Sequence, residues 1–229
     1  NGYCKASALL GHIQEAATQA AEHGGFGRAM TTDGYHAFWM LTRVWYQLRR
    51  PLRWEEPLTI RTWHRGDKGA TMYRDYDLFV DGEAVGECVS AWVLASLDTR
   101  QIIRLATVHE LDGTGGGELC KSKKLSKLRL PQNLELAGRR KLRYSDTDLN
   151  GHVNNTRYAD FACDALEMER LGPDRFLSSM QIGYLAECRP GEELLLWTKE
   201  QDGTHFVQGM DEGGKSRFEA ALIFGEVLP

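Results

Sequence analysis

Apolar residues along this chain follow two spacings, and the change from one to the other happens twice. Leu9, Leu10, Ile13, Ala16, Ala17 and Ala20 recur at steps of three and four, and the run stops at Gly24-Gly25. That spacing builds one face of a helix. Tyr158, Phe161, Ala162, Ala165, Leu166 and Met168 repeat the pattern, with Asn154 or Asn155 as the expected N-cap and Gly172-Pro173 as the stop. Small alanines on both stripes allow close approach to a sheet.

Strand-like stretches follow each helix. After the first they cover about Ala37–Arg50, Glu56–Arg65, Thr71–Val80 and Glu83–Leu97, with Asp81-Gly82 as a two-residue hairpin turn. After the second they cover about Ser178–Arg189, Glu193–Gln201, Thr204–Asp211 and Lys215–Val227. A helix followed by four antiparallel strands, in tandem, predicts a helix wrapped in a sheet twice over. The fold class is α+β. When Asn1-Gly2 is aligned with Asn150-Gly151, the same offset pairs Ser7 with Thr156, Leu9 with Tyr158, Glu15 with Asp164 and Ala16 with Ala165. We therefore expect a first unit at residues 1–108, a linker or crossover at 109–138 and a second unit at 139–229. The second copy has a strand, Arg140–Tyr144, before its Asn-Gly. On that reading the numbered chain lacks about ten residues at its start, and a leader peptide there is left open.

Composition narrows the class. The chain has 229 residues, 42% hydrophobic and 26% charged, as in ordinary globular proteins. No apolar run approaches the roughly 20 residues that span a bilayer, so no membrane association is expected. Five cysteines without a CxxC pair point to a reducing compartment. The seven histidines show no ligand spacing, so no metal is expected. Phosphate-loop and dinucleotide signatures are absent, and no cofactor is expected. The net charge of −4 weighs against nucleic acid. Basic residues nevertheless gather between Lys121 and Arg143 (Lys121, Lys123, Lys124 and Lys127 among them), against the single acid Glu135. This run is either a solvated linker or a docking strip for an acidic partner.

The chemistry gathers in SDTDLNGHVNN, residues 145–155. Were the backbone extended there, Asp148, Asn150 and His152 would emerge on one face. A carboxylate, a carboxamide and an imidazole would then converge. Taken singly, each has a structural reading: an Asx turn, a loop amide, a satisfied core histidine. Their joint spacing, with Glu187 on a later expected strand, favours catalysis. The first copy has Tyr3 in place of His152, and Arg43–Arg50, its match to Gln181–Arg189, contains no carboxylate. Only the second copy is therefore expected to be catalytic. Cys188 is a competing nucleophile. In a regular strand it and Glu187 face opposite ways.

DLNGHVNN at Asp148–Asn155, Tyr158 after it, and YLAECRPGEEL at Tyr184–Leu194 resemble the acyl-acyl-carrier-protein thioesterases of plants and bacteria, as do TIRTWHRG, Arg74-Asp75 and Ser90–Leu105 in the first half. Gly151 departs from the bulkier residue usual in the plant enzymes. The resemblance implies a double hotdog fold and a catalytic set of Asp148, Asn150, His152 and Glu187. It also implies release of free fatty acid from acyl carrier protein, with the acyl group on a 4'-phosphopantetheine arm. It places chain-length selection in the first unit, where Ile13, Met30 and Met40 are candidate lining residues. The carrier is acidic, so Lys121, Lys123, Lys124 and Lys127 become candidate docking residues. Glu187 is the candidate base and Asp148 the alternative. Acyl-coenzyme A hydrolysis and a non-enzymatic acyl-binding role are the competing functions. A hotdog dehydratase fits less well. A monomer or homodimer in the cytoplasm, or in a plastid if a transit peptide precedes residue 1, completes the expectation.

Overall fold

A computed structural model describes residues 2–111 and 124–227. The chain divides into two compact units, one of Gly11–Tyr46 with Glu56–Leu125, the other of Asn1–Leu10, Gln47–Glu55 and Ser126–Pro229. Each combines helix with antiparallel sheet, so the fold class is α+β as expected.

Helix α1 (Ala6–His23), which lies in the first-named unit from Gly11 onward, runs into Gly24-Gly25, and a π-helical turn follows at Ala29–Gly34. Strands β1 (Ala37–Leu48), β2 (Leu58–Lys68), β3 (Thr71–Val80) and β4 (Glu83–Ser96) lie in the order β2-β3-β4-β1, with the short β5 (Ile102–Ile103) beside β4. Asp81 and Gly82 have φ of 50° and 82°. Left-handed backbone at both central positions is what a tight hairpin turn demands. Phe26, Ala37, Met72, Leu94, Leu105, Val108 and Leu111 form the core, and Met30 and Trp39 pack against it.

Strand β3 is covered on both faces, since adjacent Arg74 and Asp75 point opposite ways and both are buried. They are therefore not each other's partner. Arg74 lies over the Phe26 ring at 5.7 Å and donates to Thr62 Oγ1 at 3.3 Å. Burial pushes its pKa down. Asp75 takes a forked contact from Arg65, Nη2–Oδ1 at 2.5 Å and Nε–Oδ2 at 2.9 Å. The Nε–Oδ2 approach is a hydrogen bond and the Nη2–Oδ1 approach an ion-pair contact, and together they offset part of the cost of burying a carboxylate.

In the other unit, β6 (Glu135–Lys141), β7 (Arg175–Tyr184), β8 (Glu193–Gln201), β9 (Thr204–Met210) and β10 (Ser216–Glu226) lie in the order β7-β10-β9-β8-β6. Helix α2 (Arg157–Ala165) buries Tyr158, Ala159, Phe161 and Ala162. It is shorter than the periodicity suggests, because Glu167 takes a left-handed φ of 49° and a 3-10 turn follows at Met168–Arg170. Arg140 holds this helix to β6. Its guanidinium lies 4.5 Å from the Phe161 centroid and reaches Asp146 at 2.9 Å and Asp164 at 3.1 Å. The expected strand Arg140–Tyr144 ends at Lys141, and a 3-10 turn at Tyr144–Asp146 replaces its last residues. No helix among the described residues is long and apolar enough to cross a membrane.

Candidate active site

The segment carrying Asp148, Asn150 and His152 folds back on itself instead of running extended. Thr147 bridges Val153, the Asp148 N–H donates to the His152 carbonyl at 2.9 Å, and the Gly151 N–H donates to the Asp148 carbonyl at 3.1 Å. Two sequence features close this turn. The Asp148 carboxylate accepts the Asn150 N–H at 2.8 Å, and Gly151 sits at φ 73°. The first is an Asx turn and the second a conformation that glycine adopts without strain. The single face expected from alternate positions is therefore not formed. Asp148 serves the turn, Asn150 is exposed, and the ring of His152 turns inward at 14% side-chain exposure.

Glu187 is not on a strand either. Strand β7 stops at Tyr184, and the chain continues as a loop through Arg189. That loop is stitched to the first, since the Val153 N–H donates to the Cys188 carbonyl at 2.9 Å. The stitch sets Glu187 Oε2 3.4 Å from His152 Nε2, with the glutamate 44% exposed. A half-exposed carboxylate against a mostly enclosed imidazole can accept a proton from solvent beside a group able to orient what enters. Of the four expected residues, the structure brings these two together. Asp148 and Asn150 lie on the rim of the turn.

Cys188 faces the other way. It has no exposed surface, its thiol meets the Tyr158 hydroxyl, and burial pushes its pKa up. Burial likewise raises the Tyr158 hydroxyl. Edge contacts join the Tyr158 ring to Phe161, Tyr184 and Phe218, with centroids 5.7, 5.6 and 5.2 Å apart. The thiol is thus buried against a hydroxyl that is itself part of an aromatic cluster. Just before α2 the Asn154 carboxamide accepts from the Thr156 N–H at 2.9 Å, but the N-cap is Thr156, whose side chain makes no capping bond, so neither Asn154 nor Asn155 holds the cap position expected of it. The Asn155 carbonyl accepts the Tyr184 hydroxyl at 3.1 Å.

The first copy keeps two backbone features of this turn with different side chains. Gly2 has φ 71° against 73° at Gly151. The Cys4 N–H donates to the Leu52 carbonyl at 2.8 Å, as Val153 does to Cys188. This correspondence sets Tyr3 against His152 and Pro51 against Glu187. The Tyr3 hydroxyl donates to the Pro173 carbonyl at 3.2 Å. Ile13 is buried on α1, while Met30 and Met40 are half-buried. Lys124 and Lys127 are exposed, and Lys121 and Lys123 lie outside the described residues.

Sequence reasoning missed three residues around the pair. Asp146, buried, accepts Arg140 and the Arg143 N–H, and its carbonyl accepts the Asn154 N–H at 2.8 Å. Arg217 donates to the Glu187 carbonyl at 2.7 Å and pairs with Asp211. The motif DTD hinted at Asp146, but no spacing announced Arg217.

Comparison with known proteins places the chain in a family. Residues 1–109 match the acyl-ACP thioesterase N-terminal domain, and residues 133–225 match the acyl-ACP thioesterase C-terminal domain. The chain is 26% identical over 225 residues to oleoyl-acyl carrier protein thioesterase 1, chloroplastic, of Arabidopsis thaliana, covering 84% of this chain and 59% of the relative. It is 26% identical over 200 residues to dodecanoyl-[acyl-carrier-protein] hydrolase, chloroplastic, of Cinnamomum camphora, covering 79% and 50%. The chain therefore spans about half the length of the curated relatives it matches. An acyl-ACP thioesterase structure from Bacteroides thetaiotaomicron superposes with a TM-score of 0.87 at 25% identity, covering 98% of this chain and 91% of that one. Both halves of the sequence and the architecture of the whole thus converge on a tandem hotdog protein, and the chain belongs to the acyl-acyl-carrier-protein thioesterase family.

Proposed function

We propose that this chain hydrolyses the thioester of fatty acyl groups on acyl carrier protein, releasing free fatty acid and the free thiol of the carrier's 4'-phosphopantetheine. The observation that carries this reading is the 3.4 Å approach of Glu187 to His152 in the copy that retains both groups. Glu187 takes a proton from water as the water oxygen bonds to the carbonyl carbon, and His152 orients that water. N–H groups at the start of α2 and the Asn150 carboxamide meet the oxyanion. Collapse breaks the C–S bond, and the sulfur departs with the proton that Glu187 returns. A thioester needs little more, since its leaving group is a good one. The Asp148 carboxylate, engaged with the Asn150 N–H, shapes the turn that presents His152.

On this reading residues 139–229 are the catalytic unit and residues 1–108 select the acyl group, with Ile13, Met30 and Met40 as contact residues. Lys124 and Lys127, with Lys121 and Lys123, attract the acidic carrier. The test is thiol release from one acyl group presented on carrier protein and on coenzyme A. Faster turnover on the carrier is expected, and reversing the charge of the four lysines is expected to raise KM for that substrate alone. Preference for coenzyme A would contradict the carrier assignment. Binding without turnover would contradict the enzyme.

A further inference from the structure

The loop carrying Glu187 needs a brace, because it leaves the sheet two residues earlier. The ladder between β7 and β10 starts at Phe218 opposite Tyr184. The ladder between β10 and β9 is interrupted just before that point. Ser216 pairs with Met210 and Phe218 with Gly209, so Arg217 is the extra residue of a β-bulge. A bulged residue is released from the ladder and its side chain is re-aimed, as commonly happens beside active sites.

Arg217 uses both of its freed ends on the Glu187 loop. Its carbonyl accepts the N–H groups of Leu185 and Ala186, at 2.9 and 3.2 Å. Its Nη1 donates to the Glu187 carbonyl at 2.7 Å. The guanidinium is itself fixed by Asp211, with Nε and Nη2 at 3.0 and 2.9 Å from Oδ2. Arg217 and Asp211 are only 18% and 20% exposed. Asp211 is anchored by the hairpin turn between β9 and β10, accepting the Lys215 N–H at 2.8 Å. That bond first, and Arg217 beside it, hold the Asp211 carboxylate below its usual range. On the far side of the bulge, Gly209 admits the Phe218 ring, which an added Cβ would meet at 2.1 Å.

We propose that Arg217 is a positioning residue. Held by Asp211 at the bulge, it grips the loop by the Leu185 and Ala186 N–H groups and by the Glu187 carbonyl, and so fixes the Glu187 carboxylate against His152. The proposal rests on Glu187 being the base. Neither Arg217 nor Asp211 is assigned contact with substrate, so their loss should change the frequency of productive geometry and leave binding alone. Misplacement by about 1 Å is enough to lower a rate on the order of 100-fold.

The experiment measures kcat and KM on an acyl-carrier-protein thioester, together with thermal midpoints, for Arg217→Gln, Arg217→Lys, Asp211→Asn and Glu187→Gln. Arg217→Gln is expected to lower kcat about 10- to 100-fold with KM within about 3-fold of the parent. Arg217→Lys should recover part of that loss, since an ammonium can still donate to the Glu187 carbonyl. Asp211→Asn, which leaves Arg217 in place but loosens it, should lower kcat about 3- to 10-fold and serves where the arginine variant does not fold. In a Glu187→Gln background, read under single turnover, Arg217→Gln should add no further loss. Parental kcat in Arg217→Gln, or in Asp211→Asn, overturns the inference. So does a loss that persists in full without the glutamate. Full turnover by Glu187→Gln alone would instead defeat the assignment of the base, and the inference with it.

Discussion

Glu187 and Cys188 show how two adjacent residues come to opposite environments, one half-exposed beside His152 and the other buried. The Cys188 carbonyl holds the His152 loop through Val153, while its thiol turns inward to Tyr158. Burial raises the pKa of this thiol and of Cys4 alike, so exposure separates them: Cys4 is exposed and Cys188 has no exposed surface. Alkylation of the native protein by iodoacetamide at pH 8 should therefore label exposed Cys4 well before Cys188. Peptide mapping of the modified protein reads this directly, and early labelling of Cys188 would contradict the enclosure. The opposition of Glu187 and Cys188 follows from strand alternation and survives the end of the strand, since one is half-exposed and the other enclosed.

At the scale of elements, strand periodicity was the more legible signal. Strands β3 and β8 start and stop where alternation and the flanking turns place them, and Asp81-Gly82 announces its hairpin. The end of β7 was not legible. Its sequence remains strand-like through Arg189, but the ladder ends beside Arg217 on the neighbouring strand, whose carbonyl takes the N–H groups of both Leu185 and Ala186. A local reading of Ser178–Arg189 cannot contain that contact. The turn at Asp148–His152 was misread for a related reason: alternate polar residues suit a strand or an Asx turn, and Gly151 decided for the turn. Strand β3 carries the clearest energetic prediction. Asp75 is fully buried against Arg65, so Asp75→Ala strands a cation in a mostly enclosed site. We expect a loss of about 3 kcal/mol in denaturant unfolding, the low end for a broken buried pair, because Arg65 still reaches water. Replacing both members by apolar residues should cost less. Equal losses for the single and double variants would refute the pairing.

At the scale of the molecule, duplication explains both the fold and its asymmetry. The two copies share a left-handed glycine and the same backbone stitch, at Gly2 and Cys4 in one and at Gly151 and Val153 in the other. Sequence alone revealed the repeat and the loss of His152's counterpart. It did not reveal Pro51 as the residue matching Glu187, although each lies three residues past the end of its strand, because a proline carries no trace of the carboxylate and the strand ends were not legible. The measurement that bears most directly on the account is single-turnover release of thiol from an acyl-carrier-protein thioester by the parent, Glu187→Gln and Cys188→Ala proteins. We predict a fall on the order of 1,000-fold for Glu187→Gln, within the 10²–10⁴ range typical of a lost general base, and near-parental release for Cys188→Ala. A dead cysteine variant beside a competent glutamine variant would contradict the central claim.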